Sequence, residues 1–214
     1  MTECAGDVPA LLIDFGGVLT ESVLGSFERS CRTHGVDSAG FIAEVFSPDH
    51  AEDSPFALIE LSQISIPEFL DRITPILSRH TAGKAGEVDG AAWFRGVQQT
   101  TQKVDRQMVQ AVQALTDRGV QTALVSNSWG PSDGYPWNRL PHFSEVVVSS
   151  EVGIRKPDTA IYELAAEKLG RVPGDCVFVD DVEINLIPAR ALGMGTILHE
   201  RPHDTLAQLR RIYG

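Results

Sequence analysis

The sequence predicts an α/β protein in which helices cover both faces of a parallel sheet. Two observations carry this prediction. Short apolar segments of strand length alternate with amphipathic segments through the second half of the chain, which is the pattern of βαβ units. Near its N-terminus, after residues 1–9, the chain also has a short apolar segment that ends in a single carboxylate. At 214 residues, 43% of them hydrophobic and 22% charged, it is long enough for one core and a modest insertion.

The first predicted strand is about Ala10–Ile13, and residues 1–9 are expected to form a loose leader. Asp14 then lies at the carboxyl end of the strand, where open α/β sheets bind their ligands. Gly16 and Gly17 let the backbone approach a bound anion and offer it N–H groups. A carboxylate here can attack phosphorus or carbon, but a plain strand with an Asp-Gly-type turn has the same pattern. This stretch alone leaves both interpretations open.

The region after this strand favours helices. One helix begins near Ser22, because apolar residues recur at helical spacing until Gly35 ends it. Ser65-Ile-Pro-Glu68 has the pattern of a capping box, and Pro75 is expected to kink the helix that follows. The other predicted features are a second apolar group at residues 41–46, an acidic break at Pro48–Pro55, a short helix at Phe56–Leu61, a loop at Thr81–Gly90, and apolar contacts at Trp93 and Phe94.

The second half alternates regularly between strands and helices. Pro157 would lie in the first turn of one helix, and Gly170 would follow its end. The predicted strands are Gln121–Val125, Glu145–Ser149, Cys176–Val179 and Gly195–Leu198, and the predicted helices are Asp105–Arg118, Pro157–Leu169, Glu183–Leu192 and Thr205–Ile212. Residues 10–21 and 98–214 are therefore expected to form one discontinuous core, with a helical insertion at residues 22–97.

Charge and cysteine content limit the partners and the compartment. Eighteen basic and 29 acidic residues give a formal net charge of −11, which excludes nucleic acids and anionic membranes because both are bound by clustered Lys and Arg. Cys4, Cys31 and Cys176 lack metal-ligand spacing and imply no disulfide framework. This favours a reducing, cytoplasmic compartment. The N-terminal apolar run is too short for a signal peptide, and no segment has the length of a membrane span.

Four short motifs follow one another in a fixed order. They are Asp14 with the glycines after it, Ser126-Asn127-Ser128, Gly153-Ile-Arg-Lys156-Pro157, and Asp180-Asp181-Val-Glu-Ile-Asn185. Together they resemble the motifs of the haloacid dehalogenase-like (HAD) hydrolases, and the resemblance covers nearly the whole chain. It implies a Rossmann-like core. It also makes residues 22–97 a small α-helical cap, inserted after the first motif, that covers the site and selects the substrate.

The resemblance to the HAD phosphatases implies that Asp14 is the nucleophile and that Mg²⁺ is the cofactor. The metal ligands would be the Asp14 carboxylate, the Gly16 backbone carbonyl and the Asp181 carboxylate, which are the hard oxygens that Mg²⁺ prefers. Asp180 and Asn185 would orient the water ligands of the metal and the lysine of the third motif. In isolation, Asp180-Asp181 would be equally typical of a solvated turn before a helix.

The same resemblance assigns two side chains to the phosphoryl group. Ser126 would donate its hydroxyl to a phosphate oxygen, with backbone N–H groups near Asn127 and Gly17 assisting. Lys156 would neutralise the crowded carboxylates and the transferring phosphoryl group. Arg155 is expected to be merely exposed. Taken singly, a serine at a strand end and a lysine before a helix are common features without catalytic meaning.

One position departs from the family pattern. Most HAD phosphatases have a second Asp two residues after the nucleophile, as general acid and base, and this chain has Gly16 there. General acid–base catalysis contributes about 10²–10⁴ in rate. A leaving group that needs little protonation, such as an anomeric sugar phosphate or an acyl phosphate, would account for the loss. Alternatively, another group such as His34, Asp133 or His142 supplies the proton, or the substrate is not a phosphate.

The third explanation, a substrate that is not a phosphate, applies to the haloacid dehalogenases, which also lack the second Asp and use no metal. They usually have Tyr there and lack an Asp pair like Asp180-Asp181, whose mutual repulsion calls for a cation. The sequence therefore favours a Mg²⁺-dependent phosphatase of a small phosphorylated metabolite, with a sugar phosphate as one candidate. A dehalogenase-type hydrolase that attacks carbon through Asp14 is one alternative. A HAD-fold binding or regulatory protein without catalysis is the other.

Residues 129–142 directly follow the second motif and are rich in Gly, Pro and aromatic residues. Their lack of periodicity is typical of a functional loop. One hypothesis is that this loop lines the substrate pocket, with Trp129, Tyr135 or Trp137 stacking on a sugar or another ring. The alternative is a self-packed surface loop.

Overall fold

The structure, a computed structural model, describes residues 8–47, 53–81 and 88–214, apart from the side chains of residues 100 and 101. Some predicted features therefore lie outside the described residues. They are Cys4 with most of the leader, residues 48–52 of the acidic break, and residues 82–87 of the loop before Gly90.

Five parallel strands form a single sheet in the described part of the chain. The strands are β1 (Ala10–Ile13), β2 (Thr122–Ser126), β3 (Glu145–Val148), β4 (Cys176–Asp180) and β5 (Gly195–Leu198). Their order in the sheet is β3-β2-β1-β4-β5, and every neighbouring pair is parallel. Strand β1 is thus central, between β2 and β4. The predicted α/β fold class is confirmed.

The described residues also form ten α-helices. The first five, here called the cap helices, are α1 (Val23–Thr33), α2 (Ser38–Val45), α3 (Pro55–Glu60), α4 (Ile66–Arg79) and α5 (Gly90–Thr101). The others are α6 (Arg106–Asp117), α7 (Ser149–Val152), α8 (Thr159–Lys168), α9 (Glu183–Ala191) and α10 (Pro202–Tyr213). No helix in the described ranges has both the length and the apolar character needed to cross a membrane.

The central strand is buried on both faces, which explains its uninterrupted apolar sequence. Ala10 and Leu12 pack into one hydrophobic cluster with residues of α8 and α9. Leu11 and Ile13 pack into a second cluster with residues of α6 and α10. Because successive side chains of a strand point to opposite faces, these two clusters are the two helix-covered layers that the sequence predicts.

The cap helices have a hydrophobic core of their own. It includes Phe27, Phe56, Phe69 and Trp93, and Trp93 is completely buried. On this ground we propose the division into a core of residues 10–21 and 98–214 and a cap of residues 22–97. Helix α5 runs across the second boundary and ends at Thr101.

Capping residues fix where several helices begin. The Ser65 hydroxyl accepts from the Glu68 N–H while the Glu68 carboxylate accepts from the Ser65 N–H, so the predicted capping box is confirmed. Asp105 caps α6 by accepting from the N–H groups of Gln107 and Met108. Helix α4 continues through Pro75.

Four details of the predicted elements were wrong. The helix expected from Pro157 begins at Thr159, because Asp158 caps it by accepting from the N–H of Ala160. Ser149 starts the short helix α7 instead of ending β3. The last helix begins at Pro202, whose ring suits a first helical turn. Helix α5 was missed because its short apolar stretch follows a glycine-rich segment.

Candidate active site

The predicted site residues meet at the carboxyl edge of the sheet. Asp14 directly follows β1, Ser126 ends β2, and Asp180 ends β4. These three strands are neighbours with β1 in the middle, and parallel strands end at the same edge, so the three side chains converge. Lys156, which precedes α8, joins them there.

Lys156 bridges two carboxylates in an almost closed setting. Its Nζ lies 2.8 Å from Asp14 Oδ1 and 2.7 Å from Asp180 Oδ2, and only 1% of the residue is exposed. The N–H of Phe15 also donates to Asp14 Oδ1, at 2.7 Å. Both contacts are made to Oδ1, so the Asp14 carboxylate is held in one orientation and Oδ2 stays available for reaction.

Asp180 is completely buried and accepts hydrogen bonds on both oxygens. The Asn185 side-chain amide donates to Oδ1 at 3.0 Å and to Oδ2 at 3.1 Å, and the Val182 N–H donates to Oδ1 at 2.8 Å. With Lys156 on Oδ2 as well, Asp180 holds its neighbours in place. This geometry fits the orienting role expected for Asp180 and Asn185.

Asp181 lies directly against Gly17. A Cβ built on Gly17 would come within 2.0 Å of Asp181 Oδ2, and Gly17 has a φ of +82°, a conformation that favours glycine. Residue 17 must therefore be glycine if the Asp181 carboxylate is to occupy its position. One carboxylate oxygen from each of Asp14, Asp180 and Asp181 lies within 4.8 Å of the other two.

This cluster has more negative than positive charge. Burial raises the pKa of Asp14 to about 8, against the effect of Lys156 and with that of the two other acids. Burial and Asp180 raise the pKa of Asp181 to about 6. Burial lowers the pKa of Lys156, but the carboxylates of Asp14 and Asp180 outweigh it and the pKa is raised. Three hard carboxylates with one lysine among them are a donor set that fits Mg²⁺.

The Ser126 hydroxyl is buried and receives a hydrogen bond from the loop that follows it. The Tyr135 O–H donates to Ser126 Oγ at 2.8 Å, and burial raises the pKa of Tyr135 to about 12. Tyr135 therefore keeps its proton. Ser126 directs its own proton to the carbonyl oxygen of Asn127 at 3.3 Å, which is a long distance for an O–H donor. A phosphate oxygen would be a stronger acceptor.

The side chain of Asn127 brackets the backbone of Lys156. Its Oδ1 accepts from the Lys156 N–H at 2.9 Å, and its Nδ2 donates to the Lys156 carbonyl at 3.0 Å. The amide is thus used to hold the lysine. The contact with a phosphate oxygen that the sequence predicts would be made by the backbone N–H groups near Asn127, and it stays a prediction.

A cap residue that the sequence analysis missed reaches the same place. Glu60, the last residue of α3, accepts from Arg155 Nε at 2.7 Å and from Asn127 Nδ2 at 3.3 Å. The expectation that Arg155 is merely exposed was wrong, because it forms this ion pair and its side chain is only 26% exposed. The signal was an acid within the apolar segment Phe56–Leu61, which is costly to bury without a partner.

The position of the missing second Asp is closed by the cap. A Cβ built on Gly16 would lie 2.7 Å from Val23 Cγ2, so the first residue of α1 fills that space. Of the three groups considered as proton donors, Asp133 lines the cavity beside the site. His34 is the C-cap of α1, and His142 is exposed. Neither histidine is among the described residues that line the cavity.

A cavity of about 450 Å³ opens beside Gly16 and Ser126, between the sheet edge and the cap helices. Its wall combines apolar surfaces with the polar ends of the second motif. Members of this wall include Phe15, Val23, Ile66, Trp129, Pro131 and Tyr135. The cavity can therefore receive the part of a substrate that lies beyond the reacting group.

Part of the loop of residues 129–142 lines the cavity, and part of it packs against the loop itself. Trp129 lines the cavity and also packs into the cap core, with its ring centroid 5.8 Å from that of Phe27. Tyr135 lines the cavity as well. Trp137 instead stacks on Tyr135 at 5.4 Å and donates from Nε1 to the Ser132 carbonyl. Stacking of a substrate ring on this loop stays a prediction.

Comparison with known protein families agrees with this fold. The profile of the family described as haloacid dehalogenase-like hydrolase matches residues 8–193. The chain therefore belongs to the HAD-like hydrolases, and the predicted family is confirmed.

Several curated relatives are larger proteins, and this chain matches only a part of each. The chain is 34% identical to bifunctional epoxide hydrolase 2 of Sus scrofa over 119 residues, 52% of this chain and 21% of that protein. It is 28% identical to acyl-CoA dehydrogenase family member 10 of Mus musculus over 210 residues, 96% of this chain and 19% of that protein. It thus spans about a fifth of these relatives. A sesquiterpene phosphatase of Aspergillus oryzae is 26% identical over 67% of this chain and 76% of its own.

Solved structures show the same fold at low sequence identity. A HAD family enzyme from Bacteroides thetaiotaomicron, in complex with magnesium and inorganic phosphate, has a TM-score of 0.61 at 24% identity and covers 90% of this chain and 94% of its own. A predicted HAD-like hydrolase from Porphyromonas gingivalis has a TM-score of 0.68 at 19% identity, with 96% and 98% covered.

Proposed function

We propose that the protein is a Mg²⁺-dependent phosphatase that hydrolyses a small phosphorylated metabolite through an aspartyl phosphate on Asp14. The observation that carries the proposal is the position of Lys156 Nζ between Asp14 and Asp180, with Asp181 beside them. Two comparisons support it. One relative is named a sesquiterpene phosphatase, and one protein of the same fold holds magnesium and phosphate.

In the first step Asp14 Oδ2 attacks phosphorus in line, and the bond between phosphorus and the leaving oxygen breaks. The leaving group departs with the bonding electrons. Lys156 stays protonated and offsets the charge on the phosphoryl oxygens, while the Ser126 hydroxyl donates to one of them. Asp180 and Asn127 hold the lysine in place for this task.

In the second step water attacks the phosphorus of the aspartyl phosphate. Inorganic phosphate leaves, the Asp14 carboxylate is restored, and the proton of the water passes to the released phosphate and the solvent. Gly16 has no side chain that can take this proton. We therefore expect the second step to be slow and the phosphoenzyme to be long-lived, unless another base is recruited.

The carboxylates of Asp14 and Asp181 and the backbone carbonyl of Gly16 would hold Mg²⁺, with Asp180 and Asn185 orienting its water ligands. When bound, the ion supplies positive charge that offsets the phosphoryl oxygens. The excess of carboxylates over cations in the cluster supports this assignment. Burial, together with the neighbouring acids, raises the pKa of Asp14 and Asp181, so a second cation would favour their ionised forms.

The cavity beside Gly16 and Ser126 would receive the leaving group. With Val23 closing the place of a general acid, substrates whose leaving oxygen needs little protonation are favoured, and a sugar phosphate with an anomeric phosphate is one candidate.

We place this reaction in the cytoplasm, because the two described cysteines, Cys31 and Cys176, are buried free thiols. The net charge of −11 argues against nucleic acid or an anionic membrane as partner.

The test is a screen of phosphorylated metabolites with and without Mg²⁺, run in parallel on the wild type and on Asp14→Asn. We expect phosphate release that needs both Mg²⁺ and Asp14. Hydrolysis that persists in EDTA with halide release would select the dehalogenase-type alternative. An Asp14→Asn variant that changes only ligand affinity would select the binding protein.

A further inference from the structure

The end of helix α3 is docked directly on the core. The Glu60 carbonyl accepts from the Ser149 hydroxyl at 2.7 Å, and the Ser62 hydroxyl donates to the Ser150 carbonyl at 2.8 Å. Ser149 and Ser150 belong to α7, which follows β3. The cap therefore meets the core at a defined point, and Glu60 lies at that point.

The carboxylate of Glu60 is buried, with the residue only 9% exposed. Burial raises the pKa of Glu60, and the Arg155 guanidinium acts against this rise. A buried charge is costly unless it is paired, and the pairing here is made by Arg155 Nε at 2.7 Å and Asn127 Nδ2 at 3.3 Å. Neither partner is a residue of the cap.

Both partners of Glu60 control the backbone of Lys156. Arg155 is the preceding residue, so fixing its guanidinium restricts the chain that enters Lys156. Asn127 binds the Lys156 N–H and carbonyl at 2.9 and 3.0 Å. Glu60 thus directly contacts Arg155 and Asn127, the two residues that restrict the backbone of Lys156. The Nζ of Lys156 in turn contacts Asp14 and Asp180.

We propose that Glu60 is a positioning residue: the cap carboxylate fixes Arg155 and Asn127, and through them holds Lys156 against Asp14 and Asp180. The cap then completes the arrangement of catalytic charges as well as enclosing the substrate. This inference rests on the proposed phosphatase function, in which Lys156 acts on the phosphoryl group.

The kinetic test uses Glu60→Gln, Arg155→Met and the double variant. Glu60→Gln keeps the size of the side chain and removes its charge. Mutation of the residues that orient metal ligands typically costs about 10- to 100-fold in activity. By analogy we expect kcat to fall by about that factor, with KM within about threefold. We expect the double variant to be about as active as the less active single variant, because each substitution already breaks the ion pair between Glu60 and Arg155 and the amide oxygen introduced by Glu60→Gln can still accept from Asn127.

The matched control is Glu44→Gln. Glu44 pairs with Arg79 and His80 inside the cap, so its loss weakens the cap without touching the core, and we expect kcat within about twofold of the wild type. Unchanged kcat in Glu60→Gln would overturn the inference. A rise in KM alone, or independent losses that multiply in the double variant, would also overturn it.

A crystal structure of Glu60→Ala tests the placement without any activity. We expect Lys156 Nζ to leave Asp14 Oδ1, and an unchanged bridge between Asp14 and Asp180 would overturn the inference. Failure of the proposed function looks different, because the wild type would then show no phosphate release that depends on Asp14.

Discussion

Val23 Cγ2 lies 2.7 Å from the point that a Cβ on Gly16 would occupy, so a side chain at residue 16 requires Val23 to move. Val23 cannot easily turn aside, because a β-branched residue in a helix has one strongly preferred rotamer. The place where a general acid would begin is therefore an apolar wall. The cap and the first motif are matched to each other at this point.

We first predict that kcat/KM depends steeply on the pKa of the leaving group. Without an acid beside Asp14, the leaving oxygen departs unprotonated, and the missing assistance is worth about 10²–10⁴ in rate for a poor leaving group. Rates for a series of aryl phosphates, plotted against the pKa of the phenol, measure this dependence.

Restoring an acidic side chain at residue 16 should require a second substitution at Val23. Gly16→Asp with Val23→Ala should flatten the dependence on leaving-group pKa, whereas Gly16→Asp alone should fail because its Cβ meets Val23. A flat dependence in the wild type would show that another group, such as Asp133, already donates the proton.

A second prediction concerns Lys156→Met. It removes the cation that contacts Asp14 and Asp180 and leaves buried carboxylates unpaired, which costs about 3–5 kcal/mol in the free energy of unfolding. We also expect kcat to fall at least about 100-fold, as for the loss of one electrostatic group in a preorganised site. Chemical denaturation and steady-state kinetics measure the two effects.

Lys168→Met is the control for this change. Lys168 lies 3.8 Å from Glu145 with both side chains exposed, and such pairs are worth about 0–1 kcal/mol. Equal losses of stability in the two variants would contradict the special role of Lys156.

The third prediction follows from the hydrogen bond between Tyr135 and Ser126. Tyr135→Phe removes the O–H that donates to Ser126 Oγ and leaves that hydroxyl free to rotate. A single hydrogen bond of this kind is worth about 0.5–1.5 kcal/mol, so we expect kcat/KM to fall about 3- to 10-fold. In a Ser126→Ala background Tyr135→Phe should have no further effect, and an undiminished effect there would assign Tyr135 a separate function.

The fourth prediction joins metal removal to pH. The pKa of Asp14 is raised from 3.8 to about 8, and that of Asp181 from 3.8 to about 6. The folded protein without metal thus favours the protonated acids, so their contribution to stability is full below pH 3.8 and is lost as the pH rises through about 6 and about 8. Bound Mg²⁺ should offset this loss.

Thermal melts in EDTA and in Mg²⁺ at acidic and alkaline pH test this linkage. We expect Mg²⁺ to raise Tm more at alkaline pH, because the metal binds the ionised carboxylates. The Asp14→Asn variant should show a smaller pH dependence in EDTA. An equal Tm increase at both pH values would contradict a metal site at this cluster.

The sequence was most informative where one chain segment determines the structure. Strand β1 could be placed because Leu11, Leu12 and Ile13 are buried on both faces of the sheet, and α4 because Ser65 and Glu68 cap each other locally. The motif residues Asp14, Lys156 and Asp180 could be grouped because the four motifs resemble those of the HAD hydrolases, and the structure brings them together because strands β1 and β4 are neighbours.

Contacts between distant segments could not be derived in this way. Glu60 lies 95 residues from Arg155, and Val23 fills the space beside Gly16 only because α1 packs over the sheet edge. The packing of Trp129 among cap aromatics depends on the same docking of cap on core. Such pairings depend on how the cap is seated, which no local pattern in the sequence encodes.

Trapping of the phosphoenzyme tests the central claim most directly. The wild type is mixed with Mg²⁺ and its best phosphate ester, quenched rapidly in acid during turnover, and the peptides are analysed by mass spectrometry. We expect a phosphoryl group on Asp14 that accumulates to a large fraction of the enzyme and is absent from Asp14→Asn. Turnover without a phosphoenzyme, or a phosphoryl group on another residue, would contradict Asp14 as the nucleophile.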